Sequence, residues 1–229
     1  MTVENIIKAV RWCIDEEALN VAGIADVSAY DYGAGDEGLM NNIIKAKIGD
    51  ALRWICLYAP AELLSNTETS TTGSIDLIVE ETLSPSNNLL TPTQTLLKVV
   101  RVKGSSWHRA ILGDSLLKED SDEYLQLRDD NGAEATNDRP QAALINTKQK
   151  KVEVWPTASN TFLLTYAKAL SATELSALNT TTTVVNVPVL VETSFIYYLA
   201  YLVLTAYGDS RRENMLEVAM QNLGKSQKQ

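Results

Sequence analysis

Apolar residues recur at helical steps near both ends of this chain and at strand-like intervals in its middle. Ile6, Ile7, Val10, Cys13, Ile14 and Ala18 fall three or four residues apart, which predicts an amphipathic first helix with Thr2 as its N-cap. The stretch Gly33-Ala34-Gly35-Asp36-Glu37-Gly38 then breaks the period and predicts an exposed loop. A second helix is expected from about Leu39 to Tyr58, with Ile44, Ile48, Ala51, Leu52, Ile55 and Cys56 as its buried stripe and Pro60 stopping it. Asn5-Ile6-Ile7-Lys8-Ala9 recurs as Asn42-Ile43-Ile44-Lys45-Ala46, and Arg11-Trp12-Cys13-Ile14 echoes Arg53-Trp54-Ile55-Cys56. The offsets differ and no third copy follows, so the echo reads as shared helix chemistry and not as a repeat array.

Past the polar run Ser65–Ser74 the content turns β-branched. Strands are predicted at Ile75–Glu80, Leu96–Val102, Glu123–Leu127, Gln141–Ile145, Lys151–Trp155 and Thr161–Tyr166. Lys103-Gly104-Ser105-Ser106 reads as a turn leading into the run Trp107–Leu112, Asn146-Thr147-Lys148-Gln149 as a polar connection, and Pro156 as a strand end. Helix returns later. Ser171–Leu175 opens a short turn, and Asn186 and Pro188 form a cap and first-turn pair for a long apolar helix that Gly208 ends. Asp209 or Ser210 then caps a last helix through Met215, Leu216, Val218, Ala219, Met220 and Leu223.

The expected class is therefore α+β: a helical bundle built from N- and C-terminal helices, with an inserted antiparallel β-module. The expected segments are residues 1–64 for the N-terminal helices, 65–170 for the β-module, and 171–229 for the C-terminal helices and a mobile tail. The long apolar helix carries no charge from Thr193 to Gly208 and has to be weighed as a membrane span. A span needs roughly 20 apolar residues, and tyrosines in mid-segment are out of place there. A helix buried between protein neighbours is the expected reading, with no membrane.

Composition narrows the function. The chain has 229 residues, 45% hydrophobic and 21% charged, as folded proteins do. Its net charge of −9 argues against gripping nucleic acid over a broad surface, although repulsion suits the wall of a channel through which DNA passes. Cys13 and Cys56, each near a Trp in a helical pattern, read as buried thiols; a disulfide between them would require the two helices to meet. No signal-peptide pattern opens the sequence.

No catalytic signature stands out. His108 is the only histidine, which excludes the usual multi-histidine metal site. As a base beside Ser105 or Ser106 it lacks a located third group and oxyanion donors, so it reads as a locally satisfied histidine. Asp114, Glu119, Asp120, Asp122 and Glu123, and then Asp129, Asp130, Asn131 and Glu134, lack the spacing of a calcium loop. Gly33–Gly38 matches a phosphate-loop spacing, but Asp36 and Glu37 stand where phosphates would sit. Lys98, Arg101 and Lys103 near Arg109, and Lys148, Lys150 and Lys151, form small basic groups that read as strand-edge charges or as phosphate contacts. No residue is assigned a catalytic, cofactor-binding or metal role.

Gly104-Ser105-Ser106-Trp107-His108-Arg109-Ala110, Ser121-Asp122-Glu123-Tyr124, Ala135–Leu144 with Asp138-Arg139-Pro140, and Val152-Glu153-Val154-Trp155-Pro156 carry the most distinctive text. With Leu199-Ala200-Tyr201-Leu202 ahead of Gly208-Asp209, they make the chain resemble the head-to-tail connector, or ring, proteins of podovirus-like tailed bacteriophages, nearest to those of crAss-like phages. The resemblance implies a non-enzymatic virion protein, assembled in the host cytoplasm. It implies a homo-oligomeric ring, commonly a dodecamer, below the portal protein, in contact with an adjacent neck or tail ring. DNA would pass through without sequence-specific binding. It also implies that the tail Gly224, Lys225, Ser226, Gln227, Lys228 and Gln229 docks on the portal. Two other readings stand beside it: a different neck or tail structural protein, and a carbohydrate- or peptide-binding β-module on a helical stalk. Exposure of Trp107 and Trp155 would favour binding, and their burial a core role.

Overall fold

A computed structural model describes residues 1–22, 34–65, 73–130, 132, 134–146, 149–157 and 161–224, without the side chains of 15–22 and 34–37. In chain order its elements are α1 (Val3–Ala22), α2 (Ala34–Tyr58), α3 (Ala61–Leu64), β1 (Ile75–Asp76), β2 (Ile78–Leu83), β3 (Leu89–Leu90), β4 (Leu96–Gly104), β5 (Ile111–Leu112), β6 (Leu117–Lys118), α4 (Asp122–Asp129), β7 (Gln141–Ile145), β8 (Lys151–Trp155), β9 (Phe162–Lys168), α5 (Ala172–Ala177), β10 (Val185–Asn186), α6 (Val189–Tyr207) and α7 (Arg212–Asn222). The mixture is α+β, as expected. The chain forms two compact units, one from Met1–Ala59, Glu68–Asp76 and Leu170–Gln229 and the other from Pro60–Thr67 and Leu77–Ala169.

The helical unit joins the two ends of the sequence. Thr2 does cap α1, its Oγ1 accepting from the Asn5 N–H at 3.2 Å. Val3, Ile6, Val10 and Ile14 are buried along one side of α1, and Ile44, Ile48, Leu52, Ile55 and Cys56 along one side of α2. α6 packs against both and against α7. Burial pushes the Cys56 thiol up to about 12. At pH 8 it therefore holds almost no thiolate, and alkylation followed by mass spectrometry should modify Cys56 only after the helical unit is unfolded; modification of the native protein would contradict this packing.

Several helix boundaries differ from expectation. α2 begins at Ala34, so most of the predicted glycine loop is helix; Gly35 and Gly38 weaken it by about 1 kcal/mol each but do not break it. Asn186 does not cap α6. It lies in β10, paired in parallel with β1, and its side-chain amide donates to Ser74 Oγ at 2.9 Å and to Asp76 Oδ1. Pro188 occupies the cap position with no side-chain bond. The far end behaves as expected: Gly208 adopts φ 69°, open to glycine, and the Asp209 N–H closes on Leu204 O at 3.0 Å. Asp209 is not the α7 cap either. Its carboxylate takes the Arg211 N–H and guanidinium, which hold its pKa below the usual range, while Arg211 Nη1 donates to Ile14 O at 3.0 Å and ties α7 to α1. α5 carries a complete capping box between Ser171 and Glu174.

The β-unit packs two four-stranded sheets face to face. One has the order β2-β9-β4-β5 and is antiparallel; the other, β3-β8-β7-β6, is antiparallel except for the parallel pair β6–β7. Val99, Val102, Phe162, Leu164 and Tyr166 from the first sheet share a core with Leu90, Ala142, Val152 and Val154 from the second. The predicted strand Ile75–Glu80 is split: Ile75 and Asp76 pair with β10 in the helical unit, whereas β2 pairs with β9. Of the run Trp107–Leu112 only Ile111 and Leu112 form strand. The predicted strand Glu123–Leu127 is helix α4. Ser121 caps it, accepting from the Tyr124 N–H at 3.2 Å, and Tyr124 and Leu127, one turn apart, pack on the outer face of β7 and β8 beside Trp155.

Candidate functional site

The residues with chemical potential in the sequence do not converge. His108 lies on an exposed loop, its side chain 71% accessible, and pairs through Nδ1 with the equally exposed Asp138. Ser106 Oγ donates to Asn137 Oδ1 at 3.2 Å, so it is turned to that loop. Among the described residues no group of three His, Cys, Asp or Glu is placed to hold a metal ion. Lys98 is engaged with Asp114 at 2.9 Å, and Asp114 also accepts the Ala61 N–H at the start of α3. Lys150 Nζ donates to Leu97 O at 3.0 Å. Of the proposed portal-contacting tail, Gly224 is described and ends the helical run at φ 70°; Lys225, Ser226, Gln227, Lys228 and Gln229 lie outside the described residues.

Both diagnostic tryptophans are buried, each 3% exposed. Trp107 meets Phe162 edge-on, with ring centroids 5.2 Å apart, and its Nε1 donates to Pro156 O at 3.1 Å. Trp155 packs against Tyr124 and against Gly132, where φ is 72° and a Cβ would stand 2.3 Å from the indole. Neither ring is open to stack on a sugar or peptide. This removes the feature that would have favoured a ligand-binding β-module.

Aromatic surface is instead presented by the helical unit. Trp54 of α2 stacks on Tyr198 of α6 with centroids 3.9 Å apart and planes within 7°. Tyr58 extends the stack from Trp54 at 5.5 Å and Tyr201 from Tyr198 at 5.5 Å. The ladder arises because α2 places Trp54, Leu57 and Tyr58 along the edge of its core stripe, and α6 places Tyr198, Tyr201 and Leu202 likewise. Leu57 is 40% and Tyr58 48% exposed, and Trp54, Tyr198, Tyr201 and Leu202 are half-buried. Burial first, then the neighbouring Tyr201 and Tyr58 and the carboxylate of Asp50, raise the pKa of the Tyr198 phenol, which stays neutral at physiological pH.

α6 packs between α1, α2 and α7, as its sequence predicts, but one arc of it stays open. Val191, Phe195, Leu199, Ala200, Val203 and Leu204 face the core of the unit, yet the arc through Tyr197, Tyr198, Tyr201 and Leu202 is only partly covered. By length and composition alone the helix could also cross a membrane, with mean hydropathy 1.6, but 44% of that window is buried inside its own unit. No protein-family model matches the chain, and no curated protein matches it.

Proposed function

We propose that this chain is a structural subunit of a tailed-phage virion. It forms a homo-oligomeric head-to-tail connector ring below the portal, joins capsid to tail and continues the DNA channel. The observation that carries the reading is the exposed aromatic face of α2 and α6, with Asp50 at its edge, on a chain of net charge −9. Copies that repel one another at long range meet closely where apolar area outweighs charge, and this face offers one half of such a contact. Its occupant is a different patch of a second copy of the chain, packed side by side around the ring axis, as heterologous contacts that close into rings require. The burial of Trp107 and Trp155 supports the same reading by giving the β-unit a rigid core and no open aromatic platform. An acidic wall would let DNA pass without retaining it.

Electron microscopy of the purified protein, alone and mixed with portal, tests the proposal. Closed rings with a central channel, free or nucleated on the portal, are the expected result. A protein that stays monomeric and ignores the portal would overturn the position assigned to it.

A further inference from the structure

The β-unit carries a second unmatched surface, made of opposite charges side by side. The loop after β4 and the loop before β7 are latched together: the His108 N–H donates to Asn137 O at 2.9 Å, Ser106 Oγ reaches Asn137 Oδ1, and His108 pairs with Asp138. This latch carries Arg109 and Arg139 next to its paired residues, and Lys103 lies in β4, five residues before His108. All three are exposed and have no ion-pair partner among the described residues. The neighbouring segment is strongly acidic, with nine carboxylates against two cations from Asp114 to Asp138. Glu123, Asp130 and Glu134 line a recess of about 140 Å³ with Gln141 at its rim. Gln141 also lines, with Arg109 and Pro140, an open hollow of about 370 Å³. The shared residue puts basic and acidic groups next to each other, and Leu125 on α4, 48% exposed, adds an apolar contact point.

Long cationic side chains left unpaired beside unpaired carboxylates are complementary to the same surface on another molecule. A nucleic acid fits less well, because a phosphate backbone laid on Arg109 and Arg139 would run against Asp130 and Glu134. We propose that a second copy of this chain docks here, with Arg109 and Arg139 of one copy set against the Glu123, Asp130 and Glu134 recess of the other. The inference rests on the ring reading only in its premise that copies of this chain meet. The contact is separate from the α2–α6 face.

The test uses the full chain and two charge-reversed variants, Arg109→Glu with Arg139→Glu, and Glu123→Lys with Glu134→Lys, followed by sedimentation. Each variant alone, folded by circular dichroism, should self-associate about tenfold more weakly or worse, and an equimolar mixture of the two should recover association. Wild-type association should fall about tenfold between about 0.05 M and about 0.5 M salt. Variants that associate like wild type, or a mixture that recovers nothing, would overturn the docking. So would loss of duplex-DNA binding in the arginine variant with self-association intact, which would assign the surface to phosphates. Rings that form normally from the charge variants sink this contact and leave the connector reading standing. Charge-dependent pairs that never make a ring, with or without portal, do the reverse.

Discussion

Replacing Gly113 with alanine should cost the β-unit about 3 kcal/mol or more, enough to unfold much of it at moderate denaturant. Gly113 opens the short 3-10 turn Gly113–Ser115, which crosses directly over β4. A Cβ at this position would stand 1.7 Å from Val99 O and 2.6 Å from Val99 C. Those are backbone atoms of the longest strand, held on one side by β9 and on the other by β5, so no rotamer change relieves the overlap. Either the turn lifts, breaking the Asp114 contacts to Lys98 and to the Ala61 N–H, or β4 shifts and disturbs the shared core of Val99 and Val102. The urea midpoint of the β-unit should fall by about 2 M at an m-value of about 1.5 kcal/mol/M. Buried Trp107 and Trp155 report on this unit, and near-UV dichroism follows them. Gly38→Ala is the matched control. It lies in α2 with nothing within 4 Å of its Cβ position, and alanine there should be neutral or stabilise by about 0.5–1 kcal/mol. An unchanged midpoint for Gly113→Ala would mean that the turn does not cross β4 as described.

The same crossing shows what the sequence could and could not reveal. β7 and β8 were legible to the residue, since Gln141–Ile145 and Lys151–Trp155 are short apolar-rich runs bounded by proline or polar turns, and they pair as neighbours in the chain. β1 and β2 read as one strand because a run rich in Ile, Leu and Val says nothing about partners; the run divides at Leu77, where pairing changes from β10 to β9. α4 was misread because Tyr124, Leu125 and Leu127 suit either period over so few residues. The available signal was Ser121 followed by Asp122 and Glu123, a capping serine and a negatively charged first turn. The glycines near the start of α2 and the residue Asn186 misled for a related reason: local propensity is a weak prior, and packing along α2 or a strand partner for Asn186 overrides it. The candidate surface was half visible. The uncharged run of α6 was plain, but only its packing against α1, α2 and α7 reveals which arc stays open and that Trp54 completes it.

That open arc leads to the largest expected effect on assembly. The double variant Leu57→Glu with Tyr58→Glu should fold, keep only the salt-sensitive pairing of its β-units, and fail to form rings, alone or on the portal. Both side chains are substantially exposed in the single chain, so the carboxylates can stay hydrated there. The loss of fold stability should be about 1 kcal/mol, chiefly the stacking of Tyr58 on Trp54. In a closed contact the same carboxylates would be withdrawn from water beside Tyr198, Tyr201 and Leu202, and Arg53, four residues before Leu57, could receive only one of them. Each unpaired buried charge costs several kcal/mol, so every subunit contact should weaken by about 100-fold or more. A ring multiplies this, because closure needs every contact at once. Tyr58→Phe removes a hydroxyl but keeps the stack and adds no charge, and it should assemble like wild type. If Leu57→Glu with Tyr58→Glu still gave closed rings by electron microscopy, the α2–α6 face would not lie between subunits, and the connector would have to be held together through the charged surface of the β-unit instead. If the double variant and Tyr58→Phe both failed, the phenol itself would be the contact, and the interface would be polar where the aromatic ladder argues that it is dry.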